Sequence, residues 1–346
     1  MLPTLGLVLV AGACEHTSPF ATGSYGARGP LAPGSPSRLT YSQGVDTRPV
    51  WLADGSAVLF TEEQLDRSDR DRCLAQIPGS GGSITRYLCY PGNLNGDSLD
   101  DLESPAVAGD GRMAFFQTSM LASRGEVGPD HAGLMLGSYG APFPADTLRA
   151  FPYFFTPTGR SVDGASDLHW VGPSALVFLA ERWTYPSICV GCTAIDTVRT
   201  GLDVERLDLG GVTPVLSLVP NTDQATSVTA GGPDTAYYTI QGDDGAHRRI
   251  LSTGADSVIF DFGGPVTELA VSGSRLAAIV GAGPTNLTLR VVDLATGLDT
   301  IFGRPGSNLH RPALSPDGHH VVAEVAPVDT VFFTEGPPDL WMWTLP

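Results

Sequence analysis

One pattern recurs six times along the chain: an apolar segment, a small or turn-forming pair, then a second apolar segment. The copies are RPVWLADGSAVLFT from Arg48, SPAVAGDGRMAFFQ from Ser104, DLHWVGPSALVFLA from Asp167, TSVTAGGPDTAYYTI from Thr226, VTELAVSGSRLAAIVG from Val266 and RPALSPDGHHVVAEV from Arg311. Aligned on Gly55, Gly111, Ser174, Asp234, Ser274 and Gly318, they are spaced by 56, 63, 60, 40 and 44 residues. The last two spacings match the ~40–50 residue period of propeller blades, and the longer ones imply loop insertions. Asp-Gly and its substitutes supply the positive φ angles of tight hairpins, while the flanks carry β-branched and aromatic residues. After each hairpin come two further strand-like runs, as in 287–292 and 299–302 around Leu294-Ala295-Thr296-Gly297. Four antiparallel strands per unit make a propeller blade. The 42 glycines and 28 prolines fit many turns between short strands, and helical periodicity is nearly absent.

The expected fold is therefore all-β: a six-bladed propeller of four-stranded antiparallel blades. The sixth unit stops one strand short at Pro346, and the run Arg38–Ser42 ahead of the first repeat is available to complete it. Pairing the two ends closes the ring and removes an exposed sheet edge. Residues 37–346 form the propeller on this reading, and 15–36, rich in Gly, Pro and Ser, form a flexible linker.

Ser315-Pro316-Asp317-Gly318-His319 resembles the signature of TolB-like propeller repeats, and Asp54-Gly55 and Asp110-Gly111 fit the same slot. The third, fourth and fifth copies lack the full signature. The resemblance covers residues 37 to 346 and implies protein interaction at a bacterial envelope.

Residues 1–14 read as a secretory signal, since MLPTLGLVLVAGA has no charged side chain and is too short to span a bilayer. Ala11-Gly12-Ala13-Cys14 resembles the bacterial lipobox, which implies lipidation at Cys14 and an envelope lipoprotein at the outer membrane or cell surface, with a periplasmic orientation as the alternative. The first residues lack the usual Lys or Arg, and an ordinary cleaved signal is the competing reading. Cys73 and Cys89 flank PGSGGS and fall opposite each other if the segment folds as a hairpin, at the separation a disulfide needs. Cys189 and Cys192, in Cys-Val-Gly-Cys, lack a thioredoxin-like context, two further zinc ligands or a following His, and are expected as a small structural disulfide.

The net charge of −17 and the lack of a basic stripe exclude a nucleic-acid partner. Membrane contact is expected through an N-terminal lipid alone. No Gly-x-Ser-x-Gly elbow, His-Glu-x-x-His, phosphate loop or dinucleotide fingerprint occurs, so neither catalytic residues nor a cofactor are assigned. Asn93, Asn95 and Asp97 alternate around Gly96 like a calcium loop but lack the EF-hand order; an acidic loop between blades 1 and 2 is the other reading. His169 reads as a packed blade residue and His319-His320 as a solvated turn. Function is expected on the insertions Ser119–Asp130, Tyr153–Ser166, Glu181–Leu202 and Pro327–Pro338, with Trp183, Tyr185, Phe332 and Phe333 as contact residues. The expected activity is non-enzymatic binding of an envelope protein or surface glycan through the blade loops or the mouth of the central channel. The alternatives are a hydrolase or lyase on saccharides and a carbohydrate-binding accessory protein.

Overall fold

The computed structural model describes residues 34–41, 44–63, 72–89, 98–121, 131–140, 149–152, 166–184, 198–283, 285–329 and 331–346. Within these, 98–101, 117–121, 131–133, 149–152, 181–184 and 198–201 are described by backbone alone. Six four-stranded antiparallel sheets form a six-bladed propeller. From the inner to the outer strand, blade 1 is Val45–Trp51, Ala57–Glu63, Arg72–Pro78 and Thr85–Leu88. Blade 2 is Ser98–Val107, Arg112–Leu121, His131–Ser138 and Arg149–Pro152, and blade 3 is Ser166–Val171, Ala175–Thr184, Val198–Asp208 and Val215–Leu218. Ala225–Ala230, Thr235–Ile240, Gly245–Ile250 and Asp256–Asp261 make blade 4. Val266–Ser272, Arg275–Val280, Thr288–Asp293 and Leu298–Phe302 make blade 5.

Blade 6 takes Ser307–Leu314, His320–Asp329 and Asp339–Thr344 from the end of the chain and Pro36–Arg38 from its start. The closing strand thus begins two residues earlier than the sequence suggested, at Pro36, inside the stretch read as linker. An outermost strand tolerates proline at its first position because no ladder N–H is required there. Pro36 pairs with Trp343 and Arg38 with Trp341. Beyond the strand, Leu39 N donates to Leu340 O at 2.8 Å and Leu340 N to the Thr40 hydroxyl at 2.9 Å. Arg38 meets Asp339 at 2.5 Å, both side chains buried.

The apolar segments become second strands buried on both faces, as in Ala57–Glu63 and Arg275–Val280. Each blade is sandwiched between two neighbours, and the core accordingly divides into six clusters, one at every seam. Phe60, Ile77 and Trp51 pack against Val322 and Leu340 across the 6–1 seam, and Phe115 and Met113 meet Leu59 and Leu74 across the 1–2 seam. Phe116 and Phe178 meet edge to face across the 2–3 seam, with ring centroids 5.5 Å apart. A single blade has no core of its own, so the ring is the folding unit.

The Asp-Gly turns fold as the sequence predicts. Gly55, Gly111 and Gly318 adopt φ of 71°, 84° and 71°. Their amides donate to Leu52, Ala108 and Ser315 carbonyls at 2.9 Å in each case. The aspartate before each glycine folds back on the turn. Asp54 accepts from the Ser56 hydroxyl and amide, Asp110 from the Arg112 amide, and Asp317 from the Ser315 hydroxyl and His319 amide. These bonds hold all three carboxyls below their ordinary range.

Strand polarity sorts the connections onto two faces. Inner-to-second turns and third-to-outer turns lie on one, called here the turn face. Second-to-third and outer-to-inner connections lie on the other, the loop face. All four insertions singled out in the sequence join strand ends on the loop face.

Candidate functional site: the channel mouth

Every inner strand carries a β-bulge at the same height. The register against the second strand shifts between Thr47 and Val50, Glu103 and Ala106, Ser166 and His169, Ala225 and Ser227, Val266 and Glu268, and His310 and Ala313. A bulge frees residues from the ladder and re-aims their side chains. In four blades the freed residue takes a positive φ: Arg48 56°, Ser104 51°, Asp167 52° and Arg311 43°. Together with Ser227, Glu268 and His169 these line a cavity of about 130 Å³ on the propeller axis. In blades 3, 4 and 5 the bulge falls near the first residue of the inner strand, which places the cavity toward the loop face.

The bulge side chains also tie blade to blade. Asp167 Oδ2 accepts from Val228 N at 3.3 Å, and Ser227 Oγ from Leu269 N at 3.1 Å. Glu268 accepts from Arg311 N, and Glu324 Oε1 from Arg48 N at 2.6 Å. Arg48 Nη1 then donates to Ser104 Oγ at 2.8 Å, so five of the six seams are crossed in sequence. The 2–3 seam is crossed by the Trp170 indole, which donates to Ala106 O at 3.3 Å.

Charge is divided across the axis. Arg48 and Arg311 sit on the adjoining blades 1 and 6, and Asp167 on blade 3 is close enough to raise the basicity of both. Burial, then the like charge of Arg311, lowers Arg48, whereas Glu324 above all raises Arg311. Both guanidiniums stay charged at any physiological pH. Glu324, 2% exposed, receives Arg311 Nη1 at 3.0 Å and the Thr47 hydroxyl at 2.5 Å. Burial outweighs the pull of Asp167 and keeps the His169 imidazole neutral.

At the rim, His310 Nδ1 lies 3.5 Å from Glu268 and Nε2 3.1 Å from Glu335. Burial works against its charge, but the two carboxylates prevail and push its pKa up to about 9. Glu335 belongs to a short added strand, Thr334–Glu335, paired with the end of His320–Asp329. The tip of this hairpin presents Val331, Phe332 and Phe333 at 74%, 75% and 60% exposure. Asp329 fixes the turn by accepting from Val331 N at 2.8 Å and Phe332 N at 3.1 Å.

The residues predicted from sequence are distributed unevenly over this geometry. Phe332 and Phe333 project from the loop face. Trp183 lies within a strand, opposite Arg199, where the sequence suggested a loop. Tyr185, Cys14, Cys189, Cys192, Asn93, Asn95 and Asp97 lie outside the described residues. Cys73 and Cys89 are joined in a disulfide with Cα atoms 4.7 Å apart. His169 lines the channel cavity, whereas the sequence reading packed it within a blade. His319 is exposed on the turn face, and His320 tilts against Trp51 with ring centroids 6.3 Å apart. The bulge ring itself was missed. Its signal was the recurrence of Arg48-Pro49, Ser104-Pro105 and Arg311-Pro312 at one slot of the repeat, where proline offers no N–H to a ladder.

This is the TolB-like six-bladed propeller fold. A putative TolB from Agrobacterium tumefaciens superposes with a TM-score of 0.50 at 12% identity, covering 89% of this chain and 93% of that one. TolB from Acinetobacter baumannii gives 0.49 at 14% identity, over 87% of this chain and 64% of that one. A puromycin-hydrolyzing peptidase from Mycobacterium tuberculosis gives 0.51 at 14% identity, over 89% of this chain; the match spans only 56% of the peptidase. Neither a protein-family model nor a curated protein sequence matches the chain. At these identities the likeness establishes the fold.

Proposed function

We propose that the protein is a non-enzymatic, lipid-anchored envelope propeller that docks an envelope protein or a surface glycan on its loop face. The observation that carries this reading is the asymmetry between faces. The four insertions join strand ends on the loop face, and the same face bears the exposed Val331-Phe332-Phe333 tip, held in shape by Asp329 and by Glu335 paired with His310. Binding residues concentrate on loops held by a rigid scaffold, and exposed aromatics in a fixed geometry make effective anchors.

Residues 1–14 serve as the signal, Cys14 carries the lipid, and the linker runs from 15 to the closing strand. Because that strand starts at the turn face, the tether enters there and leaves the loop face unobstructed by the anchor. The expected placement is the outer membrane or cell surface. A Cys14→Ser chain is expected in the soluble fraction of the envelope, and its retention in membranes refutes the anchor.

Docking is tested by cross-linking the full-length chain in intact envelopes and quantifying the adducts. Phe332→Ser/Phe333→Ser is expected to reduce them at least about tenfold, as loss of a ≥2 kcal/mol anchor requires. The control is Leu298→Ser/Ile301→Ser on the outer edge of blade 5, where the side chains are 53% and 65% exposed. Equal adduct yield from the two variants removes the loop face from the reading.

A further inference from the structure

The hydrogen bonds of the channel cavity are unevenly used. Arg311 engages Glu324 and Thr47 through Nη1, while Nε and Nη2 have no partner among the described residues, and the side chain is 38% exposed. Asp167 uses Oδ2 for Val228 N, and its second oxygen is free among the described residues. His169 has no hydrogen-bond partner among them on either ring nitrogen. Glu268, by contrast, is engaged on both oxygens, by Arg311 N and by His310. Blades 3 and 6 are diametrically opposed, so open donors on Arg311 face open acceptor capacity on Asp167 across the axis. No direct ion pair joins them.

A bare anion in this space gains the two guanidiniums but meets Asp167 and Glu268, and a bare cation meets the reverse. A ligand with an acceptor at one end and a donor at the other satisfies both poles. The cavity of about 130 Å³ equals the share of roughly four liquid waters, which suits a molecule the size of alanine or lactate. We propose that the channel mouth binds a small carboxylate bearing an adjacent hydrogen-bond donor, an α-amino or α-hydroxy carboxylate. Its carboxylate lies on Arg311, beside Arg48, and its donor on Asp167, with His169 completing the wall. Arginine's planar fork matches a carboxylate in two parallel bonds, and a buried site built for a donor discriminates strongly against ligands lacking it. This site opens toward the same loop face but is formed by the inner strands, so its occupancy does not depend on a docked partner.

The test is calorimetric titration of the full-length chain with L-alanine, L-lactate and propionate, the last carrying the carboxylate without the donor. At least one of alanine and lactate is expected to saturate with a Kd of about 1 mM or tighter, and propionate to bind at least about tenfold more weakly. Preference for alanine assigns an ammonium to Asp167, and preference for lactate a hydroxyl. Asp167→Asn, which keeps an oxygen for Val228 N, is expected to weaken the preferred probe about tenfold while propionate, relieved of the facing charge, binds no more weakly than before. In the unmodified protein, the His169 ring signals are expected to shift in NMR with the same Kd, a readout independent of any variant. The site is overturned if neither probe saturates by about 50 mM, if propionate binds as well as they do, or if the His169 signals stay fixed.

Discussion

The two faces of the ring are built from the same strands and finished differently. On the turn face, short inner hairpins lean on their neighbours. The Ser272 hydroxyl of blade 5 donates to Ser315 O of blade 6 at 2.9 Å, and Arg275 donates to Pro346 O at 2.6 Å. A Cβ on Gly172 of blade 3 would meet Pro233 O of blade 4 at 3.0 Å, so that turn has no room to grow. On the loop face, blades 4 to 6 are joined mostly by short connections such as 241–244, 262–265 and 303–306, while blades 1 to 3 accept 64–71, 89–97, 122–130, 153–165 and 185–197. The inner hairpins of the turn face are held against their neighbours, and most of the lengthening falls between strand ends on the loop face, with the third-to-outer connection 139–148 of blade 2 the exception on the turn face.

That contrast predicts where substitutions hurt. The largest effect is expected from deleting 36–40, which removes the outer strand of blade 6, the buried Arg38–Asp339 pair and the buried side chain of Leu39. Breaking the pair alone costs about 3–5 kcal/mol, so the melting temperature should fall sharply; an unchanged melt rules out this closure. Next comes Glu324→Ala at the 6–1 seam, which strands Arg311 and the Arg48 amide, with an expected loss of about 3 kcal/mol in denaturant unfolding. An intermediate effect is expected from pH. His310 has its pKa raised from 6.5 to about 9, so its stabilising contribution is complete below pH 6.5 and disappears as pH rises through about 9. The native protein should lose at most about 3 kcal/mol over that interval, and His310→Gln should flatten that part of the profile. Identical profiles place the His310 bridge outside the stability of blade 6. The smallest effect belongs to Gly318→Ala on the turn face. Open space surrounds its Cβ, apart from Arg275 at 3.5 Å, but φ is +71°, giving a loss of about 1 kcal/mol by thermal melting.

Much of the scaffold could be read from the chain because its determinants are local. Asp54-Gly55, Asp110-Gly111 and Asp317-Gly318 each carry a whole turn within four residues, and Cys73 and Cys89 are equidistant from the hairpin turn they flank. The closing strand was legible in kind, but Pro36 and Ser37 look like linker because an outer strand needs few ladder bonds. The channel mouth is expected of any propeller, but the residues that line it were hidden for a different reason. Arg48, Asp167, His169 and Arg311 lie in three separate repeats, and only ring closure brings them together. His169 shows the limit most clearly: beside Trp170 it reads as packing, and a bulge two residues wide turns it toward the axis. The rim bridge likewise joins Glu268, His310 and Glu335, whose proximity depends on the 5–6 seam and on an added hairpin that no repeat contains.

The shared sixth blade also sets an order of events. Contacts such as that between Thr40 and Leu340 span 300 residues, so a strand made before the first repeat finds its partner only after the last one. Closing the ring therefore depends on pairings far apart in the chain, a non-local topology that folds slowly and exposes apolar surface while it does. The ring can therefore close only after residues 339–344 have been made, however early residues 36–40 become available.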